Sequence, residues 1–320
     1  MIFKVLPRYL TNRKQRFPLK PPGPFRTDSL IYRCTPASGL RVTWFGHSST
    51  LLEIDGLRVL IDPVWEQRAS PFRWSGPKRF FQPTIPLRDL PDLDLVLISH
   101  DHYDHLGETT VRSLVSLPNV AGALWLTSKG VGTILQSWGV QRSKLVELDW
   151  TETHVSTARG KDLKITSWPA RHFSGRSLSN RFETLWASFV LQGDQHAVYY
   201  GADSGQWPGF AEIGAKQGPF DLTMLEIGAF DGMWADIHLG PDGAAEAFAA
   251  MSAGGLLMPI HWGLFDLALH GWTEPMEQLR ELAHQRGIPL WSPEPGRPTE
   301  VLPGVRLRSD WWVDPSRESV

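Results

Sequence analysis

The chain has 320 residues, 42% of them hydrophobic and 21% charged, with a net charge of −2 and a single cysteine. That apolar content suffices for a sizeable core, and Cys34 alone excludes an internal disulfide and fits a reducing compartment. No run of roughly 18 apolar residues occurs, and the first residues lack an apolar segment with a small-residue cleavage site, so the expectation is a cytoplasmic protein without a membrane-spanning helix.

In chain order, residues 1–26 hold Lys4, Arg8, Arg13, Lys14, Arg16, Lys20 and Arg26 and no acid, a net +7 that leaves −9 for the remainder. Interleaved Ile2, Phe3, Leu6, Tyr9, Leu10 and Phe17 would let this segment touch an anionic bilayer, placing the protein peripherally on a membrane. The plainer expectation, with Pro21, Pro22 and Pro24 ahead, is a solvated, partly irregular arm over residues 1–38 before one catalytic domain over 39–320. An acidic body with no RNA-reading module argues against nucleic-acid binding. Residues 41–45, 49–54 and 57–61 alternate or run apolar, and Asp55-Gly56 is a two-residue hairpin signal. They predict an antiparallel meander closed by Asp62-Pro63. Residues 65–86, with Trp65, Phe72, Trp74, Phe80 and Phe81 among Arg and Pro, read as a loop over an active site rather than as core. Helical periodicity marks 107–117, 130–138, 243–251 and 275–286.

The apolar stretch 93–99 leads straight into His100-Asp101-His102-Tyr103-Asp104-His105, three imidazoles and two carboxylates in six residues. Borderline-soft divalent metals, zinc above all, take imidazole nitrogen and carboxylate oxygen. A loop leaving a buried strand can aim His100 and His102 at one point, with Asp104 and His105 turned toward a neighbouring one at a helix start. The ligand count points to two ions. Other ligands are expected at the ends of other strands, where α/β sheets gather their chemistry: residues 163–168 end before His172, 196–200 before Asp203, and 256–259 before His261. Taken alone each reads equally well as a turn residue, Asp203 before Ser204-Gly205 most of all. Their order after the hexapeptide makes them a set.

That order, His-x-His-x-Asp-His followed by His, Asp and His, resembles the metallo-β-lactamase superfamily. Residues 40–47 (LRVTWFGH), Ala69-Ser70-Pro71, 76–80 (GPKRF), 218–222 (GPFDL) and 260–263 (IHWG) are similar to the branch of N-acylphosphatidylethanolamine-hydrolysing phospholipases D, from about Arg41 onward. The resemblance implies an α/β fold, the αββα sandwich of two mixed β-sheets flanked by helices, with a dinuclear site along one edge. It implies one ion on His100, His102 and His172, a second on Asp104, His105 and His261, and Asp203 bridging both. The implied chemistry is hydrolysis by a metal-bound hydroxide, because a solvent oxygen between two ions has its pKa lowered to around 7 in favourable sites. Asp104 and Asp203 then belong to the catalytic centre, and no Ser or Cys nucleophile is required. Relatives with di-iron redox chemistry carry Glu where this chain has His102, so zinc is expected, although iron or manganese can use the same ligands.

The resemblance also places His47 and Asp62 beside the metals, Asp62 as acceptor for a ligating imidazole. His238 matches a branch histidine able to hydrogen-bond the substrate phosphate or leaving group, and Tyr103 and Arg171 could contact an anionic substrate. His154, His196, His270 and His284 read as surface or turn residues. Glu226-Ile227-Gly228-Ala229-Phe230 departs from the branch's Pro-Ile-Gly-Ala-Tyr, adding a carboxylate and removing a phenol. The expected function is phosphodiester hydrolysis of a phospholipid such as an N-acylphosphatidylethanolamine, releasing phosphatidate. One rival is a lactonase of a sugar phosphate, which needs a small polar pocket. Another is a non-catalytic metal or lipid sensor, which would keep binding when Asp203 is replaced by alanine.

Overall fold

The computed structural model describes residue 11 and residues 14–177, 179–302 and 309–313. Of the basic arm, Lys4, Arg8 and Arg13 and the apolar Ile2, Phe3, Leu6, Tyr9 and Leu10 lie outside the described residues. The expected meander is β1 (Leu40–Gly46), β2 (Ser49–Ile54) and β3 (Leu57–Ile61), paired antiparallel. Asp55 and Gly56 both take positive φ, 49° and 91°, as a type I′ hairpin turn requires. β4 (Leu95–Ile98), β5 (Leu124–Ser128) and β6 (Leu145–Leu148) then add in parallel.

The second sheet starts with β7 (Thr153–Ala158), β8 (Lys161–Trp168), β9 (Ser188–Gln192) and β10 (Ala197–Tyr200), all antiparallel. It is completed by β11 (Phe220–Glu226) and β12 (Gly254–Ile260), parallel to β10. A short β13 (Thr299–Glu300) returns to β1, giving sheet orders β13-β1-β2-β3-β4-β5-β6 and β12-β11-β10-β9-β8-β7.

Strand alternation decides the layers. Leu52, Ile54, Val59, Ile61, Leu95 and Leu97 belong to one buried cluster with Ile165, Phe189, Leu191 and Tyr200 of the second sheet. Leu51, Leu60, Val96 and Ile98, one residue out of phase, instead pack with Val111 and Leu114 of α1 (Glu108–Leu114) and Val131 and Leu135 of α2 (Val131–Ser137). Phe210 and Ile213 of α3 (Gly209–Gln217), Phe248 of α4 (Gly240–Ala250) and Leu279 of α5 (Glu274–Arg286) join the core through the second sheet. The result is a sandwich of two mixed sheets with helices outside. Among the described residues no helix is long and apolar enough to cross a membrane.

The structure departs from the sequence reading in several places: α3 was not expected, and α1 ends at Leu114 rather than 117. α4 starts three residues before the periodic segment, because Pro241 suits the first helical turn. Residues 65–86, read as a loop over the site rather than as core, do enter the core in part: Phe81 and Ile85 are buried, and Trp65 Nε1 donates to Ile85 O at 2.8 Å.

Candidate metal centre

All seven proposed ligands lie just past the carboxyl ends of strands: His100 to His105 after β4, His172 after β8, Asp203 after β10 and His261 after β12. Glu226 closes β11, Asp62 follows β3, and His47 sits in the turn between β1 and β2. Several of these turns are left-handed at non-glycine residues: φ is 55° at His47, 38° at Asp62, 50° at Ala202 and 63° at His261. Such conformations cost of order 1–2 kcal/mol each and persist where the surroundings hold them, characteristically at functional sites. Here they turn the side chains that follow each strand toward one edge of the sandwich.

The structure brings the seven into two adjoining groups. His100 Nε2 lies 3.0 Å from His102 Nδ1, His172 Nε2 lies 3.2 Å from the same atom, and Asp203 Oδ2 is 3.6 Å from His172 Nε2 and 3.8 Å from His100 Nε2. In the second group His261 Nε2 is 3.1 Å from both Asp104 Oδ2 and Asp203 Oδ2, and His105 Nε2 is 3.0 Å from Asp203 Oδ1 and 3.7 Å from Asp104 Oδ2. Asp203 therefore faces both groups. His47 Nε2 reaches Asp104 Oδ2 at 2.9 Å, a hydrogen bond to a proposed ligand.

Whether these atoms suit a cation can be judged from their hydrogens. Ser99 Oγ donates its only hydrogen to Asp62 Oδ2 (2.5 Å), so it accepts from His100 Nδ1–H (2.9 Å), and His100 Nε2 carries a bare lone pair. His172 Nδ1–H donates to Ile237 O (2.9 Å), which leaves its Nε2 bare too. Two lone pairs thus converge on His102 Nδ1, which can offer at most one hydrogen. His105 Nε2 and Asp203 Oδ1 are buried and make no hydrogen bond despite their 3.0 Å separation. A tetrahedral zinc with bonds of 2.0–2.1 Å has ligand–ligand edges of about 3.3 Å, and the separations within each group scatter around that value. The residues present fit divalent cations.

The protein's own charges divide the centre. Burial holds His100 and His172 well below the usual imidazole range. Burial and the neighbouring His261 push His47 down to about 3. Burial opposes charge on His105 and His261 as well, but Asp203 and Asp104 override it, holding His105 well above its ordinary value and raising His261 to about 10. The carboxyls of Asp104 and Asp203, against their burial, are held well below the usual range, with His105 the leading cause.

Around this centre, Asp62 is fully buried and accepts four hydrogen bonds: Ser99 N (2.7 Å), Ser99 Oγ (2.5 Å), Tyr200 Oη (2.5 Å) and His105 Nδ1 (2.7 Å). His238 lies with its ring 5.1 Å from that of His172 and 5.3 Å from that of His261, and its Nδ1 donates to Glu226 Oε2 at 2.6 Å. Tyr103 and Arg171 turn elsewhere. The phenol donates to Arg176 O (3.1 Å), and the Arg171 guanidinium donates to Asp236 Oδ1 (2.7 Å) and Gln206 O (3.0 Å). His196 clamps a turn through Asp55 at 2.7 Å, and His284 is exposed. His270 is more enclosed than a surface residue, stacking on Phe230 at 4.9 Å.

Five contributors were given no role of their own from sequence, although Asp101 stands within the hexapeptide. Tyr200 is the last residue of an ordinary apolar strand. Asp101 Oδ1 accepts from Gly175 N (2.7 Å), and Arg176 donates to Asp101 O (2.6 Å), tying the hexapeptide loop to the one that carries His172. Arg181 stands over Phe173 (4.5 Å) and Phe182 (4.9 Å), and Phe173 in turn contacts the rings of His102 and His172. No spacing rule points to any of them.

Comparisons with known proteins agree with this geometry. A profile described as a beta-lactamase superfamily domain matches residues 57–262. A protein of Mycobacterium tuberculosis described as uncharacterised is 44% identical over 98% of this chain and 80% of its own length. N-acyl-phosphatidylethanolamine-hydrolyzing phospholipase D 1 of Caenorhabditis elegans is 35% identical over 78% of this chain and 71% of its own. The crystal structure of an isothiocyanate hydrolase from Delia radicum gut bacteria superposes with a TM-score of 0.63 over 82% of this chain and 99% of that one, at 17% identity, which speaks to the fold alone. With the sandwich, the clustered imidazoles and carboxylates, and these matches together, the chain belongs to the beta-lactamase superfamily of metal-dependent hydrolases.

Proposed function

We propose that the chain hydrolyses a phosphodiester bond of a phospholipid of the N-acylphosphatidylethanolamine kind. It would use two divalent cations, zinc first, one held by His100, His102 and His172, the other by Asp104, His105 and His261, with Asp203 shared. The observation that carries the metal reading is the meeting of the bare Nε2 atoms of His100 and His172 at His102. The substrate class is supported by the likeness to the nematode phospholipase D.

When bound, such cations supply positive charge at the phosphoryl oxygens and lower the pKa of a solvent molecule. The chain's own residues do the rest. Asp62 fixes His105 with Nδ1–H inward, so Nε2 faces the centre. Glu226, itself anchored by Ser204 N (2.7 Å) and Leu239 N (3.1 Å), holds the His238 ring by Nδ1 and leaves Nε2 for the substrate. That nitrogen can take the proton lost by the attacking water and pass it to the departing N-acylethanolamine oxygen as water oxygen joins phosphorus and the phosphorus–oxygen bond breaks. Phe173 against His102 (4.6 Å) and Phe265 against His47 (5.3 Å) screen the centre from bulk water and strengthen its electrostatics. Arg181, with no carboxylate partner among the described residues, offers its guanidinium at the rim for the substrate phosphate.

The test is incubation of zinc-loaded protein with detergent-dispersed N-acylphosphatidylethanolamine. Formation of phosphatidate and N-acylethanolamine in equal amounts is expected, and the appearance of neither overturns the substrate reading.

A further inference from the structure

Residues 67–79, which the proposed chemistry does not use, form a narrow antiparallel arm. Ala69 N donates to Pro77 O (3.0 Å), Arg79 N to Gln67 O (3.1 Å) and Arg68 Nη1 to Gly76 O (2.5 Å). Gly76 takes φ +99°, and a Cβ there would lie 2.5 Å from that of Ser70, so the tight return needs glycine. The base of the arm is fixed: Arg79 is buried with Nε on Phe81 O (2.8 Å), and Phe80 N donates to Leu264 O (2.8 Å). At the tip Phe72 is 54% and Trp74 78% exposed, their rings 5.4 Å apart.

Residues 14–21 run beside this arm. Phe17, Pro18 and Pro21 share with residues 76–80 a groove of about 540 Å³. Phe17 is 54% and Leu19 83% exposed. The strap is held down by Lys14 on Glu274 (2.7 Å) and by Trp272 N on Gln15 O (3.0 Å). Phe17, Leu19, Phe72 and Trp74 are thus four of the most exposed large apolar side chains of the described residues, carried on two segments that adjoin at this groove.

Charge on this face opposes that of the body. Arg68, Arg73 and Lys78 lie on the arm with no acid between Gln67 and Arg79, and Asp266, the one acid lining the groove, lies 3.7 Å from Arg16. Lys20, Arg73 and Lys78 are exposed. We propose that the 67–79 arm and the 14–21 strap form a docking face for an anionic lipid bilayer. Phe72 and Trp74 enter the boundary between headgroups and acyl chains, while Lys20, Arg73 and Lys78 meet the headgroup phosphates. Aromatic rings flanked by bases are the composition of interfacial segments, and a convex tip suits entry into a fluid surface better than seating in a protein pocket. The proposal does not rest on the substrate reading, since it concerns any anionic bilayer.

The experiment is flotation of the full metal-loaded chain with vesicles that lack N-acylphosphatidylethanolamine, made either of phosphatidylcholine alone or of phosphatidylcholine and phosphatidylserine at two to one. The chain is expected to float with the anionic vesicles, less so at raised salt. F72S/W74S lowers partitioning by about tenfold or more. R73E/K78E lowers it by about 25-fold or more on anionic vesicles, each base near the surface being worth about fivefold. Unchanged thermal unfolding and metal content show that the variants are folded. The proposal is overturned if the wild-type chain stays at the bottom of the gradient or if both variants float as well as it does. Retention on an immobilised acidic polypeptide but not on vesicles also overturns it, and assigns the face to a protein partner.

Discussion

Asp62→Asn isolates what holds the centre in order, because it changes one buried atom and no ligand. The carboxylate accepts four hydrogens, one on Oδ1 from Ser99 N and three on Oδ2 from Ser99 Oγ, Tyr200 Oη and His105 Nδ1. An asparagine can put its oxygen on only one side. With oxygen toward His105, the amide N–H faces Ser99 N–H. That strands a buried donor at about 1–3 kcal/mol, and the three bonds on Oδ2 fall from charged to neutral at about 1 kcal/mol each. In the reverse placement the two amide hydrogens can serve only two of the three groups on that side, and where His105 is one of them it must turn its lone pair to the amide and carry its hydrogen on Nε2. That is the nitrogen a cation needs bare. Each placement leaves a buried group unsatisfied, and the second also spoils the ligand, so metal affinity is expected to fall 10–100-fold, about 1.4–2.7 kcal/mol. Competition titration with a chromophoric chelator measures it, alongside thermal unfolding of the metal-free protein. Wild-type affinity and an unchanged unfolding temperature in D62N would refute the reasoning.

Glu226→Gln should lower kcat by about 10–100-fold with KM little changed, since His238 loses the acceptor that fixes its tautomer while both backbone anchors of Glu226 can persist on the amide oxygen; steady-state kinetics and an altered acid or base limb of the pH–rate profile check this. Arg181→Ala should raise KM for an anionic phosphodiester about fivefold and leave kcat within a factor of two, the scale of one exposed ion pair; equal loss in kcat would contradict a rim role. In the chelator-treated protein the unfolding temperature should peak near pH 6.5. Below that, the unfolded chain takes up protons that His47, His100 and His172, with lowered pKa values, refuse. Above it, the stability contributed by His261 is lost as pH rises toward about 10, and that of His105, also raised, is lost with rising pH. A metal-free protein whose unfolding temperature is flat from pH 6 to 10, the range taken from those pKa directions, would count against the described charge pairing.

Local pattern carried the first meander and the hexapeptide, while the sandwich and the full ligand assignment came from the resemblance. The β1–β3 meander announced itself by alternation and by Asp55-Gly56, and the hexapeptide by sheer density of imidazole and carboxylate. His172, Asp203 and His261 carried only the weak local signal of a place just past an apolar run, and their order linked them to the hexapeptide. What stayed hidden depends on tertiary approach. Tyr200 reaches Asp62 across the gap between the two sheets. α3 was missed because Gly209 and Gly214 weaken its pattern, yet a Cβ on Gly214 would lie 2.1 Å from Met251 O, so glycine is what lets α3 dock at the end of α4. Arg171, a base next to a proposed ligand, points to Asp236 instead, while Arg181, which no motif marks, stands at the rim. Side-chain direction in loops follows hydrogen-bond partners that lie far away in sequence.

The central claim is that two cations sit side by side with Asp203 between them. Anomalous X-ray scattering at the zinc edge from crystals of zinc-loaded protein tests it directly. Two peaks are expected, one among His100, His102, His172 and Asp203, the other among Asp104, His105, His261 and Asp203. A single peak, or peaks remote from Asp203, would contradict it.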